Sequence, residues 1–258
     1  MTTTNDPAEA LRALGFRASA EALRALLAHA TKSKLSPAEV CLELTALEKR
    51  ERDARNLAAR TKAATIGPVK PLDRFDWTHP RAIDRELYEE QHESLGFLAR
   101  GENILLRGQA GVGKSTLAKH LGLAALAKGH TVRFTTLAAA LADLLRHESI
   151  PAIERRLRRY TQPDLLILDE LGYIPCDASA ADLLFRIVSK RHESRPVVIT
   201  TNLSYKQCGT VFGDAPCLGA LVDRFAQHCH VLDIDADSWR DKERAERNGQ
   251  RPPKRPKR

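Results

Sequence analysis

The chain has 258 residues, room for one large domain or a medium domain with an appendage. Its 41 Lys and Arg against 33 Asp and Glu leave a net charge of +8, which suits a polyanionic partner and also occurs as plain solubility charge. Five scattered cysteines without a C-x-x-C pair, no apolar run near 18 residues and no signal-peptide pattern in residues 1–20 exclude a disulfide frame, a zinc site, a membrane span and an exported protein, leaving a cytoplasmic one.

Residues 1–66 read as a small helical domain without strands. Leu11, Leu14, Leu23, Leu26 and Leu27 suggest a helical hairpin broken near Gly15. Ser36-Pro37-Ala38-Glu39 starts a further helix: Ser36 can cap it, Pro37 fits its first turn and Glu39 completes a capping box. Val40, Leu44 and Leu47 then share one face. Beyond them the helix turns charged, from Glu48 through Arg55 to Arg60 and Lys62. That stretch is either a solvated helix laced by ion pairs or an arm that docks DNA or a partner. Residues 67–71, Gly-Pro-Val-Lys-Pro, read as a linker.

Residues 72–245 alternate. Strands are predicted near 103–107, 131–135, 164–168, 196–201 and 229–234. Helices are predicted near 81–98, 114–128, 137–147, 151–160, 178–193 and 215–227. Strands separated by helices imply right-handed crossovers and a five-stranded parallel sheet flanked by helices. Between the first strand and the helix at 114 lies Gly108-Gln109-Ala110-Gly111-Val112-Gly113-Lys114-Ser115, a full G-x-x-x-x-G-K-[ST] loop, with Thr116 next. Glycines let backbone N–H groups close on phosphate oxygens, and the new helix adds its positive end. Lys114 would reach the β- and γ-phosphates and Ser115 would bind Mg²⁺.

The third strand ends in Leu165-Leu166-Ile167-Leu168-Asp169-Glu170. Open parallel sheets bind ligands at that end of their strands. Asp169 is placed to hold Mg²⁺ and Glu170 to deprotonate a water; alone, the pair would equally suit a helix start. The fourth strand ends in Thr200-Thr201-Asn202, where Asn202 can meet the attacking water or the γ-phosphate, or form a turn. Arg224, on an apolar helix face, either pairs with Asp223 or reaches a neighbouring subunit's phosphate as an arginine finger. Residues 246–258 form a basic, proline-broken tail. It has six basic residues from Arg247 onward, and reads as disordered, suited to nonspecific phosphate contact or simply dispensable.

These motifs together resemble the AAA+ ATPases of the DnaA/DnaC branch, and within it the IstB-like helper ATPases of insertion sequences. The resemblance covers roughly residues 8–245. It rests on Phe75-Asp76-Trp77, Gly108–Ser115, Arg133-Phe134-Thr135-Thr136, residues 163–173, Thr201-Asn202-Leu203, Val211–Asp214, residues 221–224 and Asp237-Ser238-Trp239-Arg240. Upstream, Glu48, Arg52, Arg55 and Arg60–Ala63 are similar to the IstB N-terminal region. Gln109-Ala110, Ser115 and Trp239 depart from the residues often found in relatives, in ways compatible with the chemistry.

The resemblance implies that Asn202 is sensor 1, Arg224 the finger acting across a subunit interface, and Arg240 sensor 2, reading nucleotide in its own subunit. It implies an extra helical insert at 137–160, whose Arg155–Arg159 cluster faces DNA, a subunit or solvent. It further implies ATP hydrolysis to ADP and phosphate by a homo-oligomer that winds along duplex DNA and presents the target to a partner transposase. A DnaC-like helicase loader shares the core. A small-molecule phosphotransferase would need an acceptor pocket and a closing lid, and a binding scaffold would not need Glu170.

Overall fold

The computed structural model describes residues 6–172, 177–203, 207 and 216–249, the last without the side chains of 245–249. It divides into two units, one ending at Lys62 and one starting at Ala63. In the first unit the helices start where the sequence offers oxygen to orphan N–H groups. Helix α1 (Pro7–Ala13) starts on Asp6, whose carboxylate accepts from the Ala8 N–H at 3.0 Å. Helix α2 (Ala20–Lys32) starts on Ser19. Helix α3 (Pro37–Ala64) opens with the reciprocal pair: Glu39 N–H donates to Ser36 Oγ at 3.3 Å and Ser36 N–H to Glu39 Oε2 at 2.7 Å. Ala8, Ala18, Leu23 and Leu47 form the small core. Glu48, the first charge after the apolar face of α3, is buried. It accepts from the backbone of Arg17 and Ala18 at 2.7 and 3.0 Å and from Arg52 Nε at 2.5 Å.

The second unit is built on one parallel sheet. Its strands are β1 (Asn103–Gly108), β2 (Val132–Thr136), β3 (Leu165–Leu171), β4 (Val197–Thr201) and β5 (Cys229–Ile234), in the order β2-β3-β4-β1-β5. Both faces are covered, which is why these strands read as unbroken apolar runs. Strand period divides them into two cores. Ile104, Leu106, Ile167 and Val198 face α6 (Lys114–Ala127), α4 (Arg85–Ser94) and α5 (Gly96–Arg100). Leu105, Leu166, Leu168, Val197 and Ile199 face α7 (Leu137–Leu145), α8 (Ile150–Thr161), α9 (Ala178–Arg191) and α10 (Leu218–Ala226). The last described helix is α11 (Trp239–Gly249).

Arg191 is the largest of the polar side chains at full depth among the described residues. Arg191, 1% exposed at the end of α9, donates to the carbonyls of Tyr160, Pro163, Asp164 and Pro196. Burial pulls its pKa down to about 9. The carbonyls of Pro163, Asp164 and Pro196 immediately precede β3 and β4, and that of Tyr160 lies in the last turn of α8, so this side chain ties the two strand entries to the end of α8.

The structure differs from expectation in two places. The helix expected over 81–98 is two helices, because Leu95 takes a left-handed conformation (φ +55°) that closes α4 and turns the chain into α5. Helix α11 runs to Gly249, past the point where the basic tail was expected to start; residues 250–258 lie outside the described residues. Among the described residues no helix is long and apolar enough to cross a membrane.

Candidate functional site

The loop after β1 is shaped by close approach. A β-carbon on Gly108 would stand 2.3 Å from the Ile234 carbonyl oxygen of β5. Gly111 and Gly113 have φ of +85° and +98°, and β-carbons there would meet Ser238 Oγ at 2.5 Å and Phe75 Cε2 at 2.6 Å. Only glycine satisfies both the conformation and the space. Helix α6 begins at Lys114 without a side-chain cap, so its first N–H groups open onto the loop.

Lys114 is buried, and its ammonium donates to the carbonyls of Gly108 at 2.7 Å and Gln109 at 2.6 Å. Burial pulls its pKa down to about 8; Asp169 pushes it up and Arg240 down. A bound polyphosphate would favour the charged form and raise that pKa. ATP binding should therefore take up a proton above pH 8. Affinity should be full below pH 8 and fall by up to about tenfold per pH unit above it, until the pKa of the complex is reached. Calorimetry at pH 9 in buffers of different ionisation enthalpy should show uptake of most of one proton. Heat independent of the buffer would contradict this placement of Lys114.

The acids stand where β3 and β4 end side by side. Asp169 is buried, and its Oδ1 accepts from Ser115 Oγ at 2.9 Å and from the Thr200 hydroxyl. The β3–β4 register breaks between Leu168 and Leu171. In that bulge Glu170 takes φ +65°, and its N–H donates to Thr200 Oγ1 at 3.0 Å. Its carboxylate is exposed and lines a cavity. The helix-start reading of this pair does not apply, since α9 starts later, on Asp177.

The cavity has a volume of about 380 Å³. It runs from Lys114, Ser115 and Glu170 to Pro68–Pro71, His79 and Trp239. Five Lys or Arg and three Asp or Glu line it, a balance that favours a polyanion. Trp239 N–H donates to the Gly111 carbonyl at 3.1 Å, so α11 starts on the loop and brings Arg240 to the cavity wall. Thr116 and Val112 line the cavity too. Ser115 and Asp169 supply oxygen donors for a hard cation, and two such donors suit Mg²⁺, which keeps water and phosphate as its other ligands. Among the described residues no group of three His, Cys, Asp or Glu could hold a metal by itself.

Two expected residues stand apart from this wall. Asn202 is exposed, one residue beyond β4; the cavity is lined instead by Thr200 and Thr201. Arg224 does not pair with Asp223. Its guanidinium donates to Ser189 Oγ at 2.5 Å and lies 4.9 Å from the Phe185 ring centroid, away from the cavity of its own chain. In the insert, Arg156 is tied to Asp143, which also accepts from Tyr160, while Arg155, Arg158 and Arg159 are exposed. Tyr173 and Val211–Asp214 lie outside the described residues. Sequence reasoning gave no role to Thr200, Phe75 or Ser238. The only signal for Thr200 was a hydroxyl at the end of the fourth predicted strand.

The profile of the IstB-like ATP binding protein family matches residues 9–247. The chain belongs to this family. It is 35% identical over 222 residues to an insertion sequence IS21 ATP-binding protein of Pseudomonas aeruginosa, covering 86% of this chain and 83% of that one. It is 31% identical over 225 residues to the corresponding protein of IS5376 from Geobacillus stearothermophilus, covering 87% and 89%. Among solved structures this IstB-like chain resembles DnaI, with a TM-score of 0.52, 16% identity and coverage of 67% of this chain and 90% of that one. It also resembles the replication initiator DnaA bound to AMPPCP and single-stranded DNA, with a TM-score of 0.51, 19% identity and coverage of 70% and 59%. The second unit thus has the AAA+ P-loop fold, and the family to which the chain belongs is one of ATP-binding proteins.

Proposed function

We propose that this chain is an ATP-hydrolysing, DNA-binding helper of transposition. It would assemble on duplex DNA as a homo-oligomer and present the target to a partner transposase. The observation that carries the hydrolytic part is Glu170. A second carboxylate held in a strained bulge, facing the cavity beside a phosphate loop, is needed for activating water and not for holding nucleotide.

In this reading Lys114, Arg240 and the N–H groups of the loop and α6 hold the triphosphate. Ser115 and Asp169 hold Mg²⁺, which when bound neutralises charge on the β- and γ-phosphates. Glu170, which lines the cavity, takes the proton of the attacking water. Arg224, turned away from its own cavity, serves the neighbouring subunit and offsets charge developing on the transferred phosphoryl group. ATP would favour the assembled DNA-bound form and hydrolysis would release it, which requires tighter ATP binding in the assembled state.

The partner is proposed from the insertion-sequence relatives. The DnaC-like loader is the second reading, favoured only by the shared fold. Sedimenting this chain on duplex DNA with the transposase of its own insertion sequence separates the two. Transposase retained with ATP and lost with ADP supports the helper, whereas retention of a replicative helicase instead supports the loader.

DNA affinity is expected to be largely insensitive to sequence and to fall steeply with salt, because Lys and Arg displace condensed counterions. Removing residues 247–258 should lessen the slope of log K against log salt by about 0.9 for each phosphate that the tail neutralises, without stopping basal turnover. Filter binding from low to physiological salt checks this. A salt-independent, strongly sequence-selective interaction would contradict it.

A further inference from the structure

Thr200 is 1% exposed and lies between the two acids. A threonine hydroxyl has one proton to give and lone pairs to accept with. Here both capacities are used: it donates to Asp169 Oδ1 and accepts from the Glu170 N–H at 3.0 Å. The next residue repeats the device on the other side of the bulge, with Thr201 Oγ1 donating to the Leu171 carbonyl at 2.8 Å.

This matters because Glu170 departs from the strand. Its φ of +65° is a conformation that non-glycine residues hold only when their surroundings enforce it. A regular β3–β4 ladder would pair its backbone with β4 and alternate its side chain with that of Asp169. The break between Leu168 and Leu171 removes the ladder bond, and the Thr200 hydroxyl replaces it. One side-chain oxygen therefore sets the direction of both carboxylates. It shares Asp169 with Ser115, so that acid is held from the loop and from β4 at once.

We propose that Thr200 is a positioning residue for hydrolysis, its hydroxyl locking Asp169 in place and holding Glu170 in the left-handed turn that presents its carboxylate to the cavity. This deepens the hydrolytic reading and rests on it. Thr200 lines the cavity, and in this role it acts through the two acids that it holds. Its loss should therefore act on turnover and leave the loop, Lys114 and nucleotide binding in place. Misplacement of a positioned group by about 1 Å can cost about 10²-fold in rate.

The experiment compares wild type, Thr200→Val, Thr200→Ala and Thr200→Ser, each alone and with Glu170→Gln, in full-length protein. ATP affinity, turnover and melting temperature are read together. Thr200→Val keeps the shape and removes the hydroxyl, and Thr200→Ala serves should valine not fold. Turnover should fall by about 10–100-fold with ATP affinity within about threefold of wild type. Thr200→Ser, which keeps the hydroxyl, should restore most of it. Because Thr200 acts in part through Glu170, the same change should cost less in the Glu170→Gln background than in wild type. Turnover by Thr200→Val or Thr200→Ala near wild type, or a full additive loss with Glu170→Gln, overturns the role of Thr200 alone. Turnover that survives Glu170→Gln itself overturns the assignment of Glu170 as the base, on which the role of Thr200 rests.

Discussion

Glu170→Gln is expected to lower ATP turnover by about 10²–10⁴ while nucleotide binding persists. Glutamine keeps the volume and one oxygen of the side chain but cannot take a proton from water. The backbone that holds residue 170, through its N–H to Thr200, is untouched by the change. Nothing in the loop or at Lys114 depends on the lost charge. The variant should therefore stay in the ATP-bound, DNA-bound form that wild type leaves by hydrolysis. Phosphate release under saturating ATP measures the loss, and DNA retention with ATP measures the trap. If retention disappears with turnover, Glu170 is a structural residue of the bulge.

Loss of Arg224 should suppress turnover by about 10³, with ATP affinity of an isolated subunit mostly intact. Its guanidinium sits on Ser189 and Phe185, outside the cavity of its own chain, so any contact with phosphate must come across an interface. Mixing gives the sharper result. Arg224→Ala subunits keep Glu170, and Glu170→Gln subunits keep Arg224. In a mixed oligomer some interfaces join an intact Glu170 to an intact Arg224, so partial activity should return. A residue that only ties α10 to α9 would leave each mutant subunit defective and give no recovery at any ratio.

The phosphate loop was legible because its chemistry is local. Eight consecutive residues carry the turn, the lysine and the hydroxyl, and flanking periodicity places strand and helix around them. Asp169 and Glu170 were legible for a similar reason, since an apolar run ending in acids marks the C-terminal edge of a buried parallel strand. Thr200 was not, because its two bonds depend on strand register and on a bulge between Leu168 and Leu171 that no periodicity announces. The Phe75 ring against Gly113 joins residues far apart in sequence, and only the fold brings them together. Leu95 is an ordinary helix former, so its left-handed turn between α4 and α5 left no mark. Arg191, at the end of α9, is a buried hub for four carbonyls, and no local pattern in the sequence marks it. Arg240 came from family resemblance, and the contact of Trp239 with Gly111 supplies the physical reason it reaches the wall.

Phosphate release measured across protein concentrations, with and without duplex DNA, bears most directly on the idea of an ATPase that works between subunits assembled on DNA. Turnover per subunit should rise steeply with protein concentration, and DNA should move that rise to lower concentration and increase the rate. A rate per subunit that is constant with concentration and unchanged by DNA would contradict it.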